Sequence, residues 1–342
     1  MGQSRASWEI DADQFPGTGS ASDKLKFALK YAILAPSTHN TQPWRFQVVH
    51  RGIDLYADQS RGLKVIDPHS RQLVMSCGAA LFNLRIALAR FGYETKVRVM
   101  PFPDYPDLLA QVRVARAPNG PSDESVKLCA AITQRRTNRQ AFIKRPVSEG
   151  IATQLSNAAA REGAQLTRLH PAAKAPLAAL VATADRAQFR DKHFRRELAT
   201  WLTPIGSRRG DGIPFVKKEY GSSVPLAITM RIRTFDIGAE FGAMEEALIK
   251  GAPALFVLST PGDQAPDWLA AGQAMQAALL TACRHGVSAS FLNQVLEVAP
   301  LRAQVAAMAP AGHHPQLVLR LGFGPPVAKA TPRRPLADVL VE

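Results

Sequence analysis

The sequence predicts an α+β fold built twice along one chain. Two observations carry this: a pair of long apolar helices that align with each other, and a matching order of elements around them. Residues Ser70 to Phe91 and Trp268 to His285 read as the helices, with apolar side chains recurring at helical spacing. They align at an offset of 194 positions, which pairs Gly78 with Gly272, Ala80 with Ala274, Arg90 with Arg284 and Gly92 with Gly286. In each half a helix-then-strand unit comes first and the glycine-marked helix later, an order that unrelated pieces would not readily share.

Taken in order, residues 1–22 are polar around Pro16-Gly17-Thr18-Gly19-Ser20 and read as a flexible leader. The Gly17-x-Gly19 pair has no strand before it and no third glycine, which excludes a Rossmann dinucleotide fingerprint. Residues 23–121 form a first module. Leu25, Ala28, Tyr31, Ala32 and Ala35 recur at steps of a helix face, and Pro36 stops that helix. Arg45 to His50 and Ile53 to Asp58 alternate around Arg51-Gly52 as a hairpin, and Thr95 to Met100 and Leu109 to Val114 read as further strands. The second module covers residues 122–342. It starts with a helix capped at Ser122-Asp123, then has a helix near 150–161, strands at Gln165 to Leu169, Ala254 to Ser259 and Gln316 to Gly324, and an insertion at 203–225 rich in glycine and proline.

The chain has 342 residues, 46% of them apolar and 20% charged, the composition of a water-soluble globular protein. No signal-peptide layout opens it, and no run of about 18 apolar residues invites a bilayer, so a cytoplasmic protein without membrane contact is expected. Cys77, Cys129 and Cys283 are far apart and odd in number, and the histidines form no ligand pattern; neither a disulfide framework nor a metal site is expected. The net charge of +14 is dispersed except over residues 135–145, where Arg135, Arg136, Arg139, Lys144 and Arg145 cluster without an acid. No aromatic residues interleave them as a nucleic-acid stripe would, so an anionic cofactor or substrate is expected instead of nucleic acid.

The stretch Ala35-Pro36-Ser37-Thr38-His39-Asn40-Thr41-Gln42-Pro43-Trp44 sets the hydrogen-bonding side chains of Ser37, Thr38, Asn40 and Gln42, among others, between two stiffening prolines. It suits a polar ring ligand, and it equally suits a capped turn leading into a strand. Arg135, Arg136 and Arg139 suit a bound phosphate, which arginine grips with paired hydrogen bonds, or a solvated helix end. These two motifs, with the closing Pro332-Arg333-Arg334-Pro335-Leu336, resemble the signatures of the nitroreductase superfamily of FMN-dependent oxidoreductases, and most closely its single-chain Acg-like branch. The likeness runs from about residue 23 to 342.

That resemblance implies an internally duplicated nitroreductase-like α+β fold, with two antiparallel or mixed sheets and surrounding helices forming a pseudo-dimer in one chain. It implies that Arg135, Arg136, Thr137, Arg139 and Arg333 meet the FMN phosphate and ribityl chain. Pro36, Ser37, Thr38 and Asn40 would touch the isoalloxazine from the other module, although Thr38 stands where serine is more usual. Phe291, Leu292, Asn293 and Gln294 would run past its redox-active edge. In the family two identical subunits build two sites, whereas here each half has one contribution and lacks the other, so one site per chain is expected. NAD(P)H is the implied electron donor and a nitro, quinone or similar small molecule the acceptor; no protein acid or base is demanded, so none is named as catalytic. A flavin-sequestering protein with a covered cofactor is the alternative, with residues 203–225 as the cover. The chain would act as a monomer or a homodimer.

Overall fold

A computed structural model describes residues 7–203, 207, 209–214, 224–327 and 329–341. Helix α1, Ala21–Ala32, starts at a capping box in which the Ser20 hydroxyl accepts from the Asp23 N–H while the Asp23 carboxylate accepts from the Ser20 N–H. The hairpin is β1, Trp44–Val49, and β2, Gly52–Ala57, with Arg51 in the left-handed region (φ 52°) at the turn. Helix α2, Arg71–Arg90, follows and is buried along most of its length. By length and composition it could cross a membrane, but 83% of that apolar window is inside the fold, as befits a core helix. Strands β3, Tyr93–Val99, and β4, Leu108–Arg116, extend this to four antiparallel strands ordered β1-β2-β4-β3, and a C-terminal strand joins the sheet at its β1 edge.

The second half runs α3, Asp123–Gln134; α4, Glu149–Ala160; β5, Gln165–Arg168; α5, Lys174–Arg190; α6, Lys192–Trp201; β6, Leu202–Thr203; β7, Ile213–Pro214; α7, Val224–Thr234; and α8, Gly238–Lys250. Then come β8, Ala254–Thr260; α9, Ala265–Arg284; β9, Ser288–Phe291; α10, Gln294–Glu297; α11, Ala299–Ala306; β10, His314–Gly322; and β11, Leu340–Val341. Its main sheet is ordered β5-β8-β10-β9, again antiparallel throughout. Strand β8 is buried at all seven positions because helices cover both of its faces.

Helices α2 and α9 pack against each other at the centre. A Cβ on Gly78 would lie 2.3 Å from the Leu269 carbonyl oxygen, and one on Gly272 would lie 2.0 Å from that of Met75. Only glycine lets the two backbones come this close. One apolar core runs through both sheets around this crossing, from Leu29, Trp44 and Phe46 to Phe256, Leu280 and Leu319.

Several expectations change in detail. The leader expected over 1–22 is packed from Ser7 onward: Trp8 is buried, and Phe15 stacks on Phe91 at 4.1 Å between ring centres. Residues 1–6 lie outside the described residues. The stretch around α5 and α8, for which the sequence analysis named no elements, is helical, with its own apolar contacts from Leu177 and Val181 to Ile249. The tail does not stay with the second module, since β11 pairs in parallel with β1 of the first sheet.

Candidate functional site

The short strand β9 and the loop after α3 bring the second half's polar groups together. Arg135 ends α3 as its C-cap, and Thr137 makes an isolated parallel bridge to Ala289 on β9, reinforced by the Asn138 N–H donating to the Ala289 carbonyl at 2.9 Å. Arg135 to Arg139 therefore run beside the strand that delivers Phe291, Asn293 and Gln294. From the first half, α1 gives way to a short 3-10 turn at Thr38–Asn40. His39, Asn40 and Gln42 all have φ between 49° and 56°, a crowded left-handed stretch for residues other than glycine. The Ser37 hydroxyl, accepting from the Gln42 N–H at 2.9 Å, closes that loop.

Between these segments is a cavity of about 270 Å³, near the lower edge of small-ligand sites, roughly 300–1,000 Å³. Pro36, Ser37, Thr38, Asn40, Arg135, Arg136, Thr137, Arg139, Phe291, Asn293, Gln294 and Arg333 all line it. Leu292 does not: it is fully buried in the core behind β10, because alternation along the extended chain turns it away from its neighbours.

One end of the cavity is cationic. The Arg135 side chain is buried, its Nη1 reaches only the Thr137 hydroxyl at 3.5 Å, and its Nε–H has no acceptor. Burial, and then the Arg136 charge, push its pKa down to about 10. A solvated helix end does not describe this residue. Arg333 is also buried, with its pKa well below the usual arginine range through burial and the charges of Arg135 and Arg136. Its donors are largely spent, however. Nη1 donates to the Asn40 Oδ1 and to the carbonyls of Thr331 and Pro332, and Nη2 to those of Leu34 and Ala35, at 3.0–3.2 Å. Only its Nε–H remains without a partner.

The other end is a hydrogen-bonded floor that sequence reading missed. The Thr38 hydroxyl donates to Gln72 Oε1 at 2.7 Å, Gln72 Nε2 donates to Glu297 Oε1 at 2.7 Å, and Gln188 Nε2 donates to Glu297 Oε2 at 2.5 Å. Burial pushes the Glu297 pKa up, opposed by those two amides. A lone carboxylate in the apolar run Val295 to Pro300 was the available signal. His39 also lines the cavity; burial, then the Arg139 charge, holds it neutral by pushing its pKa down to about 4.

The described part of the 203–225 insertion sits over the first-half loop. Asn40 Nδ2 donates to the Gly212 carbonyl at 3.0 Å and Gln42 Nε2 to that of Gly210 at 2.7 Å, while Arg61 pairs with Asp211. Ile213 and Pro214 line the cavity. Of the cations of this insertion that could meet an anionic nicotinamide cofactor, Arg208, Lys217 and Lys218 lie outside the described residues, and Arg209 pairs with Asp211. Asn40 and Gln42 thus bind the chain's own backbone. Among the described residues, no group of three or more His, Cys, Asp or Glu is placed to hold a metal ion.

An α+β chain with two like sheets and a two-sided polar cavity is the class that the fold and site define. No protein-family model matches the sequence. The Mycobacterium tuberculosis protein named "Putative NAD(P)H nitroreductase Rv3131" is 33% identical over 323 residues, spanning 93% of this chain and 91% of that protein. A second protein of that organism, "Putative NAD(P)H nitroreductase acg", is 29% identical over 95% of this chain and 97% of its own length. A solved structure, the FMN-dependent nitroreductase NfnB of Mycobacterium smegmatis in complex with NADPH, matches 63% of this chain and 97% of its own at 18% identity, with a TM-score of 0.42. The chain belongs to the nitroreductase family.

Proposed function

We propose that this protein is an FMN-dependent NAD(P)H oxidoreductase with one flavin per chain, reducing a nitro compound, quinone or similar small acceptor. The observation that carries the reading is the Arg135 guanidinium, buried in the cavity wall with an orphaned Nε–H and no carboxylate among the described residues acting on it. A buried cation without a counter-ion is costly, and a phosphate ester would complete it. The residues present fit such a group: Arg135, Arg136 and Thr137 would hold the phosphate, with the Nε–H of Arg333 behind them. Pro36, Ser37, Thr38 and Asn40 would form one wall for the ring system, and Phe291, Asn293 and Gln294 the other, with Arg139 at the rim. FMN, when bound, supplies the two-electron chemistry, taking hydride from NAD(P)H and giving it to the acceptor. The protein's part is to position the rings and exclude water, since hydride transfer needs reacting atoms roughly 3–3.5 Å apart. The names of the relatives support NAD(P)H as donor.

We further infer that the chain is a duplication, with a 23–121 module and a 122–342 module. The matched strand orders and the equal length of α2 and α9 support this. Because each half supplies what the other lacks, one site per chain follows, and the pseudo-dimer is complete in a monomer. A second reading, flavin storage with little turnover, is favoured by Ile213 and Pro214 in the cavity wall. Flavin released by denaturation should be FMN, about one per chain, and NADPH should bleach the yellow protein without oxygen. Two flavins per chain, FAD, or none after reconstitution would overturn the first reading. Replacing 206–221 by a short glycine-serine link should speed bleaching if that segment is a lid; an unchanged rate would remove the lid from both readings.

A further inference from the structure

We propose that Trp8 is a positioning residue of the anion end, holding the guanidinium groups of Arg136 and Arg333 so that a phosphate can meet them together with Arg135. This rests on the reading that the cationic end takes a phosphate. The indole lines the cavity and is buried. Arg136 lies over its ring at 3.9 Å and Arg333 at 4.8 Å from the centre. The ring itself is pinned, because its Nε1–H donates to the Thr331 carbonyl at 2.8 Å on the tail that carries Arg333. Behind it, Phe15 on the same segment stacks on Phe91 and meets Phe27 edge-on, anchoring the start of the chain to α1 and α2.

The physical need for such a residue comes from charge. Three guanidiniums meet here, and the charges of Arg135 and Arg136 both act against Arg333 with no described carboxylate offsetting them. An acid would neutralise the cluster and weaken its hold on an anion. The negative face of an indole instead attracts each guanidinium without cancelling its charge. Arg136 is steered further by Nη1 donating to the carbonyls of Thr133 and Arg135, both at 2.9 Å, which with the ring leaves it little freedom to swing into solvent. Fewer conformations to lose means tighter binding of the anion.

The test compares wild type, Trp8→Ala and Trp8→Phe in the full chain, with three probes: FMN, riboflavin and inorganic phosphate. Trp8→Ala should weaken FMN and phosphate by about tenfold, the scale of one to two desolvated cation–π contacts. Riboflavin, which lacks the phosphate, should bind wild type and Trp8→Ala alike, and Trp8→Phe should recover most of the FMN affinity. Phosphate binding should also quench tryptophan fluorescence in wild type but not in Trp8→Phe. Equal FMN and phosphate affinities in all three proteins would overturn the proposal, as would a parallel loss of FMN and riboflavin or the same quench in Trp8→Phe. If no form binds FMN while wild type binds phosphate in a Trp8-dependent way, the functional reading fails and this one stands.

Discussion

The two halves of the molecule are alike in frame and unlike in what they bring to the cavity. Sheets β1-β2-β4-β3 and β5-β8-β10-β9 have the same order and pairings, and α2 and α9 cross through a reciprocal glycine contact. The first half, however, contributes a strained polar loop, and the second an arginine run that starts at the buried Arg135. What the halves share is backbone packing, which tolerates no side chain at Gly78 or Gly272. What they do not share is polar, and there the identity of a residue says less than its partners do. Arg135 and Arg333 are both buried arginines of the same cluster, yet one has donors to spare and the other has spent nearly all of them on backbone carbonyls.

The comparison is broken most severely at the shared frame. Gly272→Ala and Gly78→Ala should each destabilise by about 3 kcal/mol, at the upper end of overpacking costs, because the obstacle is backbone. Chemical denaturation reads this directly, and a harmless result at one site would mean the halves do not use the crossing alike. Next comes Arg333→Ala, which removes three hydrogen bonds tying the tail to the 34–40 region and two more within the tail itself. A loss of about 2–3 kcal/mol in stability is expected, seen as a lower unfolding midpoint even without flavin.

Arg135→Ala should behave in the opposite way. Losing a charged hydrogen bond to phosphate, about 1.5–3 kcal/mol, should weaken FMN by roughly ten- to a hundredfold. The flavin-free protein should be no less stable, since an uncompensated buried charge is removed. An unchanged FMN affinity in calorimetry, or a large loss of stability in the flavin-free protein, would erase the distinction between the two arginines.

The smallest effect belongs to the helices that only the second half has. Burial, then the Glu245 charge, push the Asp185 carboxyl on α5 up to about 7, against roughly 3.9 when unfolded. A raised carboxyl pKa favours the folded state fully below the unfolded value, and that contribution is lost as pH rises from about 4 through about 7. Asp185→Asn should therefore add about 1–2 kcal/mol at pH 8, part of the shift belonging to the coupled Glu245, and almost nothing at pH 4. Equal gains at both pH values in thermal melts would contradict the assignment.

Hydrophobic period and glycine placement made the frame legible from the sequence, because they answer to local geometry. The expected strands and helices fall within a few residues of β1–β4, α2, β8, α9 and β10. The polar motifs named residues that the fold brings to one cavity: Pro36 to Asn40, Arg135 to Thr137, Arg139, Phe291, Asn293, Gln294 and Arg333 all line it, whereas Leu292 does not. Composition, by contrast, led the packed start of the chain to be read as loose, since a polar stretch with one tryptophan carries no periodic signal. Tertiary structure alone decided that Arg136 and Arg333 lie over the Trp8 ring, that Glu297 is gripped by Gln72 and Gln188, and that Asn40 and Gln42 hold the backbone of Gly212 and Gly210. Hydrogen-bond partners and unpaired charges depend on which distant segments arrive at the same place, and a one-dimensional spacing does not encode that arrival.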